Sequence, residues 1–154
     1  MKMLVVEDNS NDALLLRLAL KRKTLGPPVA VVDGAAEAID YLLGHNGYGE
    51  RRRFPLPELI LLDWKLPGMQ GWEFLEWLRA QPRYRALPVT VMSGSEDAIE
   101  MQKAYEYGAN FWVGKPQSMK ELAAVVQKIH AFWADTTSLP PVIAHNYPSF
   151  PAAR

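Results

Sequence analysis

A doubly wound α/β sheet is the architecture this sequence predicts, and three observations predict it. Five short apolar runs, at 3–6, 29–32, 59–62, 89–92 and 111–113, are near-continuously hydrophobic. Strands covered on both faces of a parallel sheet read this way. The stretches between them are longer and carry apolar residues at helical spacing. The two patterns alternate along most of the chain, so one layered domain of five strands and five helices accounts for both.

The elements follow in order. After the first run come Glu7-Asp8, then a stretch at 11–23 where Leu14, Leu15 and Leu18 recur at helical spacing. The second run leads into a helix over 35–43 with Ala38 and Leu42 one turn apart. The third stops at Asp63, and a helix over 71–80 sets Phe74, Leu75 and Leu78 on one side. The fourth is followed by Ser93-Gly94-Ser95 and a weakly patterned helix over 96–107, which Gly108 can close. The fifth precedes Lys115-Pro116 and a helix over 118–133 striped by Met119, Leu122, Val126, Ile129 and Trp133. Two segments stand outside the alternation. Residues 45–57 carry Gly47, Gly49, Arg51, Arg52, Arg53, Pro55 and Pro57, a loop longer than the roughly two to six residues usual in such connections. Residues 135–154 carry Pro140, Pro141, Pro148 and Pro151, which forbid a helix and favour extended chain. The expected organisation is a domain at 1–134 and a proline-rich extension at 135–154, too short to be an output domain.

Composition removes whole classes of function. A chain of 154 residues buries roughly 70% of its unfolded surface and needs no disulfide or metal staple. With Cys 0, thiolate zinc sites, iron–sulfur ligation and cysteine nucleophiles are impossible. Lys+Arg 17 balances Asp+Glu 17, which argues against a protein that coats nucleic acid. Arg51, Arg52 and Arg53 lack an accompanying aromatic platform or helix-turn-helix, so they read as a solvated loop. His45, His130 and His145 are scattered and form no paired metal motif. No apolar run reaches the ~18 to 20 residues of a membrane span, and the start turns acidic too early for a secretory signal. A soluble, cytoplasmic protein is expected, without membrane or nucleic-acid partner.

In an open parallel sheet, function sits beyond the carboxyl ends of the strands. The residues placed there are Glu7, Asp8, Asp63, Ser93 and Lys115. Taken singly, each has an ordinary explanation: Asp8 an N-cap, Ser93 a turn residue, Lys115 a surface charge. Taken together, they put three carboxylates, a hydroxyl and an ammonium on one rim. Clustered carboxylates repel unless a cation intervenes. An oxygen-rich, incomplete ligand set suits Mg²⁺, which retains waters and shares phosphate oxygens. A carboxylate beside it can accept a phosphoryl group, and the ammonium and hydroxyl can stabilise the transferred oxygens.

These residues carry a resemblance. The order Val5-Val6-Glu7-Asp8, Leu61-Leu62-Asp63, Leu66-Pro67-Gly68, Gly71, Val91-Met92-Ser93-Gly94, Gly108-Ala109 and Lys115-Pro116 resembles the receiver domain of bacterial two-component response regulators. It covers nearly all of residues 2–133. The resemblance implies a flavodoxin-like sheet with strand order 2-1-3-4-5. It implies that Asp63 is the phospho-acceptor, that Asp8 ligates Mg²⁺ directly, and that Glu7 acts partly through water. The backbone carbonyl of Lys65 completes the metal site. Ser93 is the switch hydroxyl, Lys115 the phosphate-binding lysine, and Trp112 the aromatic switch residue. Pro116 is expected to follow a cis peptide, which an X-Pro bond allows at low cost.

Four positions depart from the commonest pattern. Glu7 stands for aspartate and Ser93 for threonine, both keeping the chemistry. Trp112 replaces Tyr or Phe, and its bulk can limit inward rotation. Lys65 puts a long cation at the mouth of the site, where it either pairs with an acid, hinders water, or stays solvated. The loop before residue 59, the run 104–110 and Phe132-Trp133 are similar to single-domain regulators that partner phytochrome-type histidine kinases. The partners this implies are a sensor histidine kinase, a bacteriophytochrome among them, or a histidine phosphotransfer protein. A homodimer is expected through the fourth helix, fifth strand and fifth helix. Its apolar groups are Ile99, Met101, Tyr105, Tyr107, Phe132 and Trp133, with Leu139, Val142, Ile143, Tyr147 and Phe150 of the extension docking there. Trp72 and Trp77 lie off their helix's stripe, as a contact surface or as part of the core. A non-enzymatic phospho-acceptor is the leading expectation. A haloacid-dehalogenase-type phosphohydrolase and a degenerate receiver used for dimerisation remain alternatives. The first lacks its second acid, because Lys65 holds that position; the second would not need the retained site.

Overall fold

The computed structural model describes residues 2–22 and 29–136. Ten elements alternate: β1 Met3–Val6, α1 Ser10–Arg22, β2 Val29–Val32, α2 Ala35–Leu43, β3 Leu59–Asp63, α3 Gly71–Ala80, β4 Val89–Ser93, α4 Ala98–Glu106, β5 Phe111–Gly114 and α5 Met119–Thr136. The strands form one parallel sheet in the order β2-β1-β3-β4-β5. The flavodoxin-like expectation therefore stands. The chain reverses direction across the sheet between β1 and β3, where a functional crevice forms.

Strand alternation divides the core into two layers. Leu4, Val6, Ile60, Leu62, Val89 and Val91 pack beneath α2, α3 and α4. Met3, Val5, Leu59, Leu61 and Met92 pack beneath the α1 and α5 residues Leu16, Leu122, Val126, Ile129 and Trp133. Central strands are buried on both faces, as continuous apolar runs require. β5 departs from that expectation. It is an edge strand, half-buried to exposed, with Phe111 open to solvent. β2, the other edge, is only partly covered.

α1 forms where the leucine spacing predicts a helix, but those leucines are not its buried face. Among its residues whose burial is described, Ala13 and Leu16 are buried, while Leu14, Leu15 and Leu18 are exposed. A leucine-rich helix offers more than one apolar face to a period of 3.6, and periodicity alone cannot choose between them. The 45–57 loop is built, not merely solvated. Arg51 donates to the carbonyls of Tyr41, Leu42 and Phe54, closing the C-terminus of α2. Tyr41, Tyr48 and Phe54 form a ring cluster beside it. Arg52 and Arg53 are exposed. Both off-stripe tryptophans of α3 are half-buried: Trp77 lies between Phe74 and Tyr84, and Trp72 meets Tyr107. α5 continues through Asp135 and Thr136, which the composition places in the extension. Among the described residues, no helix is long and apolar enough to cross a membrane. The expectations for Leu139, Val142, Ile143, His145, Tyr147 and Phe150 lie outside the described residues.

Candidate functional site

The parallel register delivers the site. Glu7 follows β1 directly, Asp63 ends β3, Ser93 ends β4, and Lys115 follows β5, so all four reach one rim. The Lys115 N–H donates to the Ser93 carbonyl at 2.7 Å, continuing the β4–β5 ladder to the lysine itself. Its ammonium then lies 2.6 Å from Glu7 Oε2 and 3.0 Å from Asp63 Oδ2. Asp12 Oδ2, at 3.0 Å, is a third partner. Asn9 fixes the start of α1, its side chain accepting the N–H groups of Asn11 and Asp12. Asp12 thus sits in a rigid first turn facing the rim.

Electrostatics follow from burial. Glu7 is fully buried. Burial pushes its carboxyl up to about 7; the Lys115 hydrogen bond opposes the rise, the Asp63 charge adds to it, and the Asn9 N–H opposes it. Burial disfavours the Lys115 ammonium, but its bonds to Glu7 and Asp12 and the charge of Asp63 outweigh that and raise its pKa above the ordinary lysine range. Carboxylate oxygens of Glu7, Asp8 and Asp63 all lie within 4.8 Å of one another. Hard oxygen donors of this number and spacing fit a divalent cation. Such an ion would relieve the burial of Glu7. Asp8 is the exposed member of the trio.

The remaining predicted residues are present with individual differences. Ser93 is buried, and its Oγ accepts the Ser95 N–H at 3.1 Å. The Lys65 N–H approaches Asp63 Oδ1 at 3.4 Å, which places Lys65 in the turn around the acceptor. Two of the fates considered for its side chain are seen together: it is exposed to solvent, and its ammonium lies 3.9 Å from Glu100 Oε1 on α4. Trp112 is half-buried and meets buried Trp64 edge-on at 5.8 Å, so its inward neighbour is a second indole. Trp64 in turn presses on Gly71, where an added Cβ would come within 2.8 Å of the ring. The expected cis bond before Pro116 is not found; the peptide is trans. An X-Pro amide retains a trans preference of roughly 0.5–1 kcal/mol when its surroundings do not reverse it.

Sequence reasoning missed Asp12, Glu100 and Trp64. Asp12 was discoverable as an acid in the first turn of the helix that leaves the rim. Glu100 and Trp64 gave no local signal, because their roles arise from contacts between elements far apart in the chain.

A response regulator receiver domain matches residues 3–127. The response regulator Rcp1 of Synechocystis sp. is 32% identical over 137 residues, covering 89% of this chain and 91% of that protein. The phosphorylated cyanobacterial phytochrome response regulator RcpA superposes with a TM-score of 0.80 at 32% identity, covering 91% of this chain and 98% of that one. The Mn²⁺-bound form of Rcp1 superposes with a TM-score of 0.77 at 31% identity, over 91% of this chain and 99% of that one. The rim geometry, the strand order and these likenesses agree: the chain belongs to the response regulator receiver domain family, whose role is phosphorylation-based signalling.

Proposed function

We propose that Asp63 accepts a phosphoryl group from a histidine kinase or a histidine phosphotransfer protein, and that the chain signals by changing a protein contact. The observation that carries this reading is the convergence of Glu7, Asp8 and Asp63 around one pocket of oxygen ligands, with the Lys115 ammonium bonded to the acceptor carboxylate. An Asp63 carboxylate oxygen attacks phosphorus, the P–N bond to the donor imidazole breaks, and the imidazole leaves with the bonding pair. Lys115 would hold the transferred oxygens, and Ser93 would supply a hydroxyl at the same rim. Glu7, Asp8, Asp63 and the Lys65 carbonyl would hold Mg²⁺, which when bound neutralises charge on the phosphoryl oxygens. The chain acts in the cytoplasm, where phosphohistidine donors are made. It works as a signalling module, not a turnover enzyme.

The donor's docking surface is α1. Exposed Leu14, Leu15 and Leu18 lie on the helix that springs from the rim, and a helical donor would cover them. A phytochrome-type kinase is the favoured donor, by analogy with the relatives. A homodimer forms through α4, β5 and α5, where Ile99, Tyr105, Phe111 and Phe132 are exposed. An apolar groove of about 260 Å³ lies between Phe111, Val113, Ile129, Phe132 and Trp133 on that face. Sedimentation of the full chain tests this. A dimer that Ile99→Glu converts to monomer is expected; a monomer at every concentration, phosphorylated or not, rejects it.

Incubation with acetyl phosphate and Mg²⁺, followed by intact mass, tests the central reading. One added phosphoryl group is expected, absent without Mg²⁺ and absent in Asp63→Asn. Rapid multiple turnover of the donor would favour a phosphohydrolase, and no adduct would favour a degenerate receiver. Leu14→Asp should slow transfer from a phosphohistidine protein while leaving labelling by acetyl phosphate unchanged. Equal slowing of both would remove α1 as the docking surface.

A further inference from the structure

We infer that Lys65 is a latch with two alternative anionic partners, Glu100 in the resting protein and the phosphoryl group on Asp63 in the phosphorylated one. The inference rests on Asp63 being the acceptor. Lys65 lies two residues beyond Asp63, its N–H 3.4 Å from Asp63 Oδ1, so its backbone belongs to the turn that wraps the acceptor. Its flexible four-carbon stem carries a point charge that can turn either way. At rest the ammonium sits 3.9 Å from Glu100 Oε1, an ion pair but not a hydrogen bond. Glu100 is itself incompletely satisfied: its Oε2 is buried with no hydrogen-bond partner among the described residues. The pair is therefore a weak hold on a carboxylate that needs its cation.

A phosphoryl group on Asp63 changes the competition. It carries roughly −1.5 to −2 charge and several strong acceptor oxygens, against the single charge of Glu100. Lys65 moves to it and leaves Glu100 with a buried oxygen and no counter-ion, an unfavourable state that a shift of α4's first turn relieves by admitting water. Glu100 lies in that first turn, directly after Ile99, which is 78% exposed and holds nothing in place. No bond is made or broken beyond the phosphorylation itself; the latch exchanges one ion pair for another. It ties occupancy of Asp63 to the near end of α4 through one side chain.

Amide hydrogen exchange over residues 98–102 of the full chain tests this, in wild type, Lys65→Met, Glu100→Gln and the double variant. Each is measured with and without acetyl phosphate and Mg²⁺, and the adduct is read by intact mass. An exposed pair is a modest interaction, so each single variant should raise resting exchange about two- to fivefold. The double variant should rise no further than either single one, and Lys65→Arg should stay near wild type. Phosphorylated wild type should rise by the same factor, and phosphorylated single variants should show no additional rise. Additive effects of the two single variants would overturn the pairing. A phosphorylated wild type whose 98–102 exchange does not move would overturn the exchange of partners. Absence of any adduct would instead remove the acceptor reading on which the latch depends, and the mass measurement separates that case from the other two.

Discussion

α4 is held in opposite ways at its two ends. At the far end, Arg79 reaches from α3 and donates to the carbonyls of Gly108, Arg85 and Leu87, with a further contact to the Asn110 side chain. Asn110 bonds back to Val89 through both backbone and side chain. Lys103 lies 4.5 Å above the Trp72 ring, Trp72 meets Tyr107, and the Tyr105 hydroxyl accepts the Trp112 N–H at 3.0 Å. At the near end, beside the acceptor rim, Asp97 caps Ile99 N–H at 2.8 Å and Glu100 meets Lys65 at 3.9 Å. Ala104 is the helix's one buried residue, and it lies toward the far end. The contacts that hold α4 are therefore concentrated at its far end. The light end is the one beside the acceptor, where a phosphoryl charge would act.

Removing the far anchor should have the largest effect. Arg79→Ala leaves several carbonyls without their charged donor, and a loss of about 3 kcal/mol is expected in urea denaturation. Arg79→Lys should recover little of it, because an ammonium cannot reproduce a planar fork of donors. A loss under about 1 kcal/mol would mean that Arg79 is not the anchor. Gly108→Ala comes next. Its φ of 102° is unfavourable for any residue with a Cβ, and that Cβ would approach Arg79 Nε to 2.7 Å. A cost of roughly 1–2 kcal/mol is expected, with Arg79 displaced.

The contrast was only partly legible in the sequence. Gly108 was readable as a helix stop, the five strands followed from apolar runs, and their order in the sheet came only from the resemblance to receiver domains. The four rim residues Glu7, Asp63, Ser93 and Lys115 were legible because strand register converts a place after an apolar run into a place on the rim. Arg79 was not: a lone arginine in the last turn of a helix reads as a solvated charge, and its carbonyl partners come from two separate loop segments, α3–β4 and α4–β5. The buried side of α1 was not legible for a related reason, since Leu14, Leu15 and Leu18 satisfy the helical period as well as Ala13 and Leu16 do. Periodicity describes one element; choosing a face, or placing an anchor, depends on what the other elements bring.

Smaller effects sharpen the comparison. Asp97→Ala removes the near-end cap and should cost about 1 kcal/mol, concentrated in faster amide exchange of the first turn. Equal acceleration along the whole helix would deny that the two ends are independent. Lys103→Met, which removes the cation above Trp72, should cost only about 0.5 kcal/mol and leave the near end unchanged.

Localising the phosphoryl group tests the account most directly. The full chain is phosphorylated, its acyl phosphate is reduced with borohydride, and the peptides are sequenced. Reduction converts an aspartyl phosphate to homoserine, and the account predicts homoserine at position 63 alone, with Glu7, Asp8 and Asp12 unchanged. Homoserine at position 8 or 12, a reduced Glu7, or label that survives in Asp63→Asn would contradict it.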